Sequence, residues 1–289
     1  MSRISGTTRL IALLGTPVAH SRSPALQNGA FEALGLDYVY LAFDVALPQL
    51  ADAVHALRAL DARGANVTMP LKQAVCEHLD RLAPAAELAG AVNTIDNDDG
   101  VLTGHITDGE GYMMSLAESG VPFAGRSMVI AGAGGASIAV AIQAAMQGVA
   151  TISLFNQRDA FFARAESKAA LLRERFGCDA RVFDLADAAA LRERMASADI
   201  FVNGTPIGME ASRGQSVVPD ASFFHPGLTV TDLIYAPAET HLLRMARAAG
   251  CRTVGGLGMQ RWQGARSFEL WTGRRMPMDL TRSPAAAEA

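Results

Sequence analysis

The feature that most constrains this chain is a strand that runs straight into a turn of small residues and then a helix. Met128-Val129-Ile130-Ala131 is an apolar, strand-like run, Gly132-Ala133-Gly134-Gly135-Ala136-Ser137 forms the turn, and Ile138-Ala139-Val140-Ala141-Ile142 continues as an apolar helix. So tight a turn brings backbone N–H groups to a helix N-terminus, where the aligned peptide dipoles favour a phosphate or other anion. Glycine repeats alone are weak signals, but here the next strand, at 150–156, also fits a βαβ unit. Buried-strand runs at 200–203, 230–233 and 252–254 alternate with helical stretches at 164–176, 188–195 and 239–249 and extend the series. This second section therefore reads as a Rossmann-type sheet with a dinucleotide on the glycine turn.

The first hundred residues also alternate, with strand-like runs at 10–15, 38–44 and 64–68 and helical runs at 24–34 and 48–60. Alternation of this kind predicts a mainly parallel sheet covered by helices. Residues 92–96 and 101–105, joined by Asn97-Asp98-Asp99-Gly100, read as a β-hairpin, and a helix is expected from Asp108 to about Glu118. At 289 residues, half of them apolar, the chain exceeds one compact core. The expected fold is thus two α/β domains with a cleft between them. The expected division is 1–107 as the substrate-binding catalytic domain, completed by C-terminal helices at 264–289, and 108–263 as the NAD(P)-binding Rossmann domain. The small, polar tail at 283–289 is expected to be disordered.

A net charge of −4 without any run of five like charges argues against nucleic acid or an anionic membrane as partner. With no apolar run long enough to cross a bilayer and no signal-like N-terminus, a cytoplasmic protein is expected. Cys76, Cys178 and Cys251 are odd in number and widely spaced, which predicts free thiols rather than disulfides or a zinc site. The six histidines show no ligand spacing, so no metal is expected. A small polar molecule, bound by a monomer or homodimer, is the expected partner instead.

The second strand of the nucleotide section ends in Asn156-Gln157-Arg158-Asp159. An acid at this place accepts a ribose 2′-hydroxyl, whereas an arginine accepts a 2′-phosphate or stacks on adenine, so Asp159 and Arg158 point in opposite directions. NAD is favoured, with NADP left open.

Four segments of the first section place short polar residues beside glycine or proline at strand ends: 15–24 (GTPVAHSRSP), 66–72 (NVTMPLK), 90–94 (GAVNT) and 104–109 (GHITDG). Ligands of α/β sheets bind beyond the carboxyl ends of strands, so these groups could converge on a polar substrate. Singly each has a plainer reading: Ser23 caps a helix, Asn93 satisfies a turn, Lys72 is a solvated lysine. Together, ahead of the GAGGAS turn, they resemble the shikimate/quinate dehydrogenase family over residues 14–273. The likeness continues in 203–209 (NGTPIGM), 232–237 (DLIYAP) and 258–264 (GMQRWQG). The run ending in Arg158-Asp159, and Gln27 where the biosynthetic enzymes usually carry histidine, are similar to the dual quinate/shikimate branch that uses NAD.

That resemblance implies reversible oxidation of a ring hydroxyl of shikimate or quinate. It implies Lys72 and Asp108 as an acid/base pair, Ser21 and Ser23 on the substrate carboxylate, and Asn66, Thr68, Asn93, Tyr235 and Gln263 around the hydroxyls. The dinucleotide would lie on Gly132, Ala133, Gly134, Gly135 and Ala136, with Asn156, Arg158 and Asp159 at its adenosine end and Pro206, Leu233 and Gly256 at its nicotinamide side. The residue types suit the chemistry: removing a hydride from an alcohol requires a group to take the hydroxyl proton, and a desolvated lysine can do so. Which of Lys72 and Asp108 is the base stays open. Ile106 departs from the family, which commonly has asparagine before the Thr-Asp pair, and a hydrocarbon cannot replace an amide. An amino- or otherwise altered shikimate analogue as substrate, or a ligand-binding regulatory paralogue, are the alternatives.

Overall fold

The computed structural model describes residues 4–279, so the tail expected to be disordered at 283–289 lies outside the described residues. The chain divides into two compact units, Met1–Thr107 with Gln263–Ala289, and Asp108–Trp262.

In the first unit β1 (Arg9–Gly15), α1 (Ser23–Ala33), β2 (Tyr38–Asp44), α2 (Leu50–Ala59) and β3 (Gly64–Val67) follow the alternation of the sequence. They are followed by β4 (Arg81–Leu82), α3 (Pro84–Ala89), β5 (Thr94–Asp98) and β6 (Val101–His105). The sheet order is β2-β1-β3-β5-β6-β4, with β1 parallel to β2 and β3, and β5 antiparallel to both β3 and β6. β1 is covered on both faces, which is why it reads as a continuous apolar run. β2 lies at the sheet edge, where the Asn28 amide satisfies both backbone groups of Tyr40, donating to its carbonyl at 2.9 Å and accepting from its N–H at 2.8 Å. The hairpin turn is tighter than its polar run suggests. Asp98 pairs with Val101, and Asp99 and Gly100 alone turn the chain with φ of 49° and 87°, as a two-residue primed turn requires.

The second unit opens with α4 (Asp108–Glu118) and continues through β7 (Ser127–Ala131), α5 (Gly135–Met146), β8 (Thr151–Asn156), α6 (Ala160–Phe176) and β9 (Asp179–Asp184). Then come α7 (Ala188–Ala196), β10 (Ile200–Asn203), β11 (Thr229–Asp232), α8 (His241–Ala248) and β12 (Arg252–Val254). The order β12-β11-β10-β7-β8-β9, all parallel, is the dinucleotide-binding arrangement, with its switch point between β7 and β10. Residue patterning does not mark β9: it is an edge strand with a single fully buried residue, Ala180, and polar groups at both ends. α4 lies close along α5 because position 109 is glycine. A Cβ there would stand 2.3 Å from the Ala139 carbonyl oxygen and 2.7 Å from the Gln143 Cβ, so this glycine fixes where the start of α4 sits.

The last helix, α9 (Gly256–Thr272), carries the chain from one unit into the other. Its second half docks on the first unit: Phe268 stacks on Phe31 with centroids 5.2 Å apart, the Trp271 indole donates to the Ile95 carbonyl at 2.9 Å, and the Gln27 amide donates to the Gly264 carbonyl at 3.0 Å. Among the described residues no helix is long and apolar enough to cross a membrane.

Candidate active site

Asn66, Asn93 and Gln263 meet in one buried network of the first unit. The Asn66 amide donates toward the Asn93 carbonyl (3.0 Å), Thr94 Oγ1 (3.1 Å) and Ser267 Oγ (3.2 Å), and its Oδ1 accepts from the Tyr40 hydroxyl at 2.8 Å. The Asn93 amide donates to Thr107 Oγ1 (3.0 Å) and Gln263 Oε1 (3.3 Å), while its Oδ1 accepts from the Thr107 N–H at 2.9 Å. Asn66 comes from β3, Asn93 from just before β5, Thr107 from just after β6, and Gln263 and Ser267 from the middle of α9. Burial drives the Tyr40 phenol well above its ordinary value, with the Ser23 hydroxyl beside it pulling the other way, so the phenol stays a neutral donor.

Ser23 opens α1 rather than capping it; the N-cap is Arg22, and the Ser23 N–H donates to Ser21 Oγ at 3.3 Å. Thr68 follows β3, its N–H donating to the Leu14 carbonyl at 2.9 Å. The Lys72 carbonyl accepts from the Val92 N–H at 2.8 Å, which ties the lysine segment to the residue preceding Asn93. Asp108 and Tyr235 lie in the second unit. Asp108 is the buried first residue of α4, where the helix dipole favours a carboxylate, and Tyr235 follows β11 with its side chain exposed. Tyr40 and Ser267 take part in the network although residue type alone assigns them nothing, and Thr94 and Thr107, which lie in the polar segments 90–94 and 104–109, join it as partners of Asn66 and Asn93.

The glycine turn sorts into two kinds of glycine. Gly132 has φ of +93°, and a Cβ there would lie 2.9 Å from the Gly204 carbonyl, so the fold itself demands glycine. Gly134 has φ −66° and ψ 176°, which any residue adopts, and a Cβ at Gly134 or Gly135 would meet nothing within 4 Å. Protein packing leaves that room open. The first turn of α5 has no acidic residue and no side-chain cap, so its amides and the open space together fit a diphosphate. Ala133 donates its N–H to Asn156 Oδ1 at 3.0 Å, coupling the turn to the end of β8.

At that end Asn156 donates to Asp159 Oδ1 at 2.9 Å, and the same oxygen caps α6 by accepting from the Phe161 N–H at 2.8 Å. Arg158 donates through Nε to Asp184 at 2.8 Å and lies over the Phe162 ring, 4.9 Å from its centroid. On the other side of the switch point, the loops after β10 and β11 share one buried pair. Asn203 donates to Asp232 Oδ1 (3.1 Å) and to the Ile207 carbonyl (3.1 Å), and accepts from the Thr205 hydroxyl (2.7 Å). Asp232 also accepts from the Ile234 N–H (3.0 Å) and the Thr240 hydroxyl (2.7 Å). Burial pushes the Asp232 carboxyl up to about 6, against those same hydrogen bonds. Pro206 and Leu233 sit on the two loops so fixed, and a Cβ on Gly256 would stand 2.5 Å from the Leu233 carbonyl oxygen, so Leu233 and Gly256 share one corner. Asn203 and Asp232 escape residue-type reasoning, although a polar last residue on an otherwise buried strand is their signature. Among the described residues no group of three or more His, Cys, Asp or Glu could hold a metal.

A fully parallel sheet in dinucleotide-binding order with an open glycine turn, and a separate unit built around buried amides and hydroxyls, define a nicotinamide-dependent oxidoreductase. The chain matches the shikimate dehydrogenase substrate binding domain over residues 13–95 and the shikimate 5'-dehydrogenase C-terminal domain over residues 256–283. It is 50% identical over 280 residues, 97% of this chain and 96% of the relative, to a shikimate dehydrogenase (NADP(+)) of Listeria monocytogenes. It is 47% identical over 279 residues, 96% of this chain and 97% of the relative, to a quinate/shikimate dehydrogenase of Escherichia coli. A solved shikimate 5-dehydrogenase from Listeria monocytogenes, in complex with shikimate and NAD, superposes with a TM-score of 0.95 at 50% identity over 98% of both chains. The chain belongs to the shikimate dehydrogenase family.

Proposed function

We propose that this chain reversibly oxidises a ring hydroxyl of shikimate, quinate or both to the 3-dehydro ketone, with NAD as preferred acceptor and NADP as second. The observation that carries this reading is the buried network joining Asn66, Asn93 and Gln263, with Lys72 tied by its carbonyl to the segment that bears Asn93. Amides held in place by their neighbours recognise hydroxyls without the entropic cost of ordering them at binding.

In this reading Ser21 and Ser23 hold the substrate carboxylate, and Asn66, Thr68, Asn93, Tyr235 and Gln263 bind its hydroxyls. The nicotinamide, when bound, accepts the hydride. Lys72 and Asp108 handle the proton: one takes it from the reacting hydroxyl as the carbonyl forms, while the other orients the ring through an adjacent hydroxyl. The glycine turn at 132–136 takes the diphosphate, Asn156, Arg158 and Asp159 the adenosine, and Pro206, Leu233 and Gly256 border the nicotinamide. The first unit then serves as substrate domain and the second as nucleotide domain. A monomer or homodimer in the cytoplasm, where free thiols persist, completes the reading.

A modified shikimate, such as an amino analogue, is favoured by one observation only: Ile106, buried at 4% exposure, stands where the family commonly has an amide. The test is NADH and NADPH formation by the purified protein with shikimate, then with quinate. Turnover of either acid, faster with NAD, is expected; silence on both with tight NADH binding would overturn the proposal.

A further inference from the structure

Asp184 belongs to none of the motifs that carry the family likeness, yet it stands at the adenosine end. It is the last residue of β9 and the register partner of Asn156, so it sits beside the turn that carries Arg158 and Asp159. Its Oδ1 accepts from the Ala186 N–H at 2.9 Å, which fixes the carboxylate, and its Oδ2 accepts from Arg158 Nε at 2.8 Å. The Arg158 guanidinium also rests over the Phe162 ring. The arginine thus contacts both a fixed anion and an aromatic face, although 71% of its side chain is exposed. Arg158 with Asp159 and Asp184 carries a net charge of −1, which tolerates a hydroxyl and repels a phosphate.

We propose that Asp184 sets the cofactor choice: by engaging Arg158 it withholds that cation from a ribose 2′-phosphate and leaves a surface suited to the 2′-hydroxyl. The inference rests on the reading of Arg158 and Asp159 as the adenosine end. It assigns to β9, an element that residue patterning does not reveal, the discrimination usually sought in the residues just after the second strand of the nucleotide unit.

Asp184→Asn is the direct probe, because its carbonyl oxygen can still accept from the Ala186 N–H while the charge is gone. Dissociation constants for NAD and NADP, and for ADP and 2′,5′-ADP as fragments, are measured by calorimetry on wild type, Asp184→Asn, Arg158→Gln and the double variant. Circular dichroism checks that each is folded, with Asp184→Ser in place of Asp184→Asn and Arg158→Lys in place of Arg158→Gln wherever one is not. Releasing the Arg158 guanidinium from Asp184 to pair with a phosphate dianion in a solvated site is expected to tighten NADP about tenfold. NAD should move less than about threefold, 2′,5′-ADP should follow NADP, and the gain should vanish in the double variant. Equal shifts for both cofactors, no shift for NADP, or a gain that survives loss of Arg158 would each overturn the proposal. If Arg158→Gln alone also leaves all four ligands unchanged, the adenosine reading itself falls; if it alters any of them while Asp184→Asn does not, only the role of Asp184 falls.

Discussion

Asp232 should make the second unit less stable as pH rises, the opposite of what most carboxylates do. Its carboxyl is buried, and desolvation lifts it from the ordinary 3.8 to about 6 despite hydrogen bonds from Ile234, Thr240 and Asn203. Between those values the folded protein keeps a proton that the unfolded chain has released, so the favourable contribution is complete below about pH 4 and is lost as pH rises through about 6. A shift of roughly two units corresponds to about 3 kcal/mol. Asp37, Asp80, Asp184, Asp199 and Asp220 are all held below their ordinary value and act in the reverse sense, so the wild-type profile alone does not isolate Asp232. The difference between wild type and Asp232→Asn does. Urea unfolding, followed by Trp262 fluorescence in a Trp271→Phe background so that the signal comes from the second unit, would be measured from pH 4 to pH 7.5 at fixed ionic strength. The stability of wild type relative to the variant should fall by about 2 kcal/mol across that range, most of it between pH 4 and 6. Parallel curves would refute the reasoning, since they would mean that the carboxyl ionises alike in the folded and unfolded chain.

Gly134→Ala should leave stability within about 1 kcal/mol of wild type yet weaken dinucleotide binding at least about tenfold, whereas Gly132→Ala should cost about 2 kcal/mol or more through its left-handed backbone and the contact with Gly204. Thermal melts with and without NAD separate the two effects. Asn93→Ala removes the partner of Thr107 and Gln263 and should raise the KM for the acid, with NAD affinity unchanged and a stability loss of about 1–3 kcal/mol. Steady-state kinetics paired with NAD titration checks this. Lys72→Ala should lower kcat by about a hundredfold or more with little change in substrate affinity, a split read from kcat and equilibrium binding; near-normal turnover would remove the lysine from the mechanism.

Most of both sheets was legible because their central strands are buried on both faces and so read as apolar runs; Leu13, Val129 and Phe201 are examples. Edges and short pieces were not. β9 exposes one flank and so carries Arg181 and two aspartates, and β4 and α3 are too short for any period to appear. Asn66 and Asn93 stood out in the sequence through the small residues around them, and the structure adds the partners that hold them. Tyr40 and Ser267 could not be found in this way, since a tyrosine in a strand or a serine in a helix is common and only distant packing makes it a partner.

The two kinds of glycine in the 132–135 turn show why part of a ligand site survives in a bare sequence. Gly132 answers to the chain, because φ and the neighbouring Gly204 exclude a side chain whether or not a cofactor is present. Gly134 and Gly135 answer to nothing in the protein, whose packing leaves the space beside them open, as the proposed diphosphate site requires. Polar residues sort in the same way. The hydrogens of the Asn66 amide face three acceptors already inside the fold, and a substrate hydroxyl accepting from it would share a hydrogen with Ser267 or Thr94. The established part of Asn66 is therefore to fix the geometry of its neighbours, and the substrate contact proposed for it would come second, an order that residue type alone does not disclose.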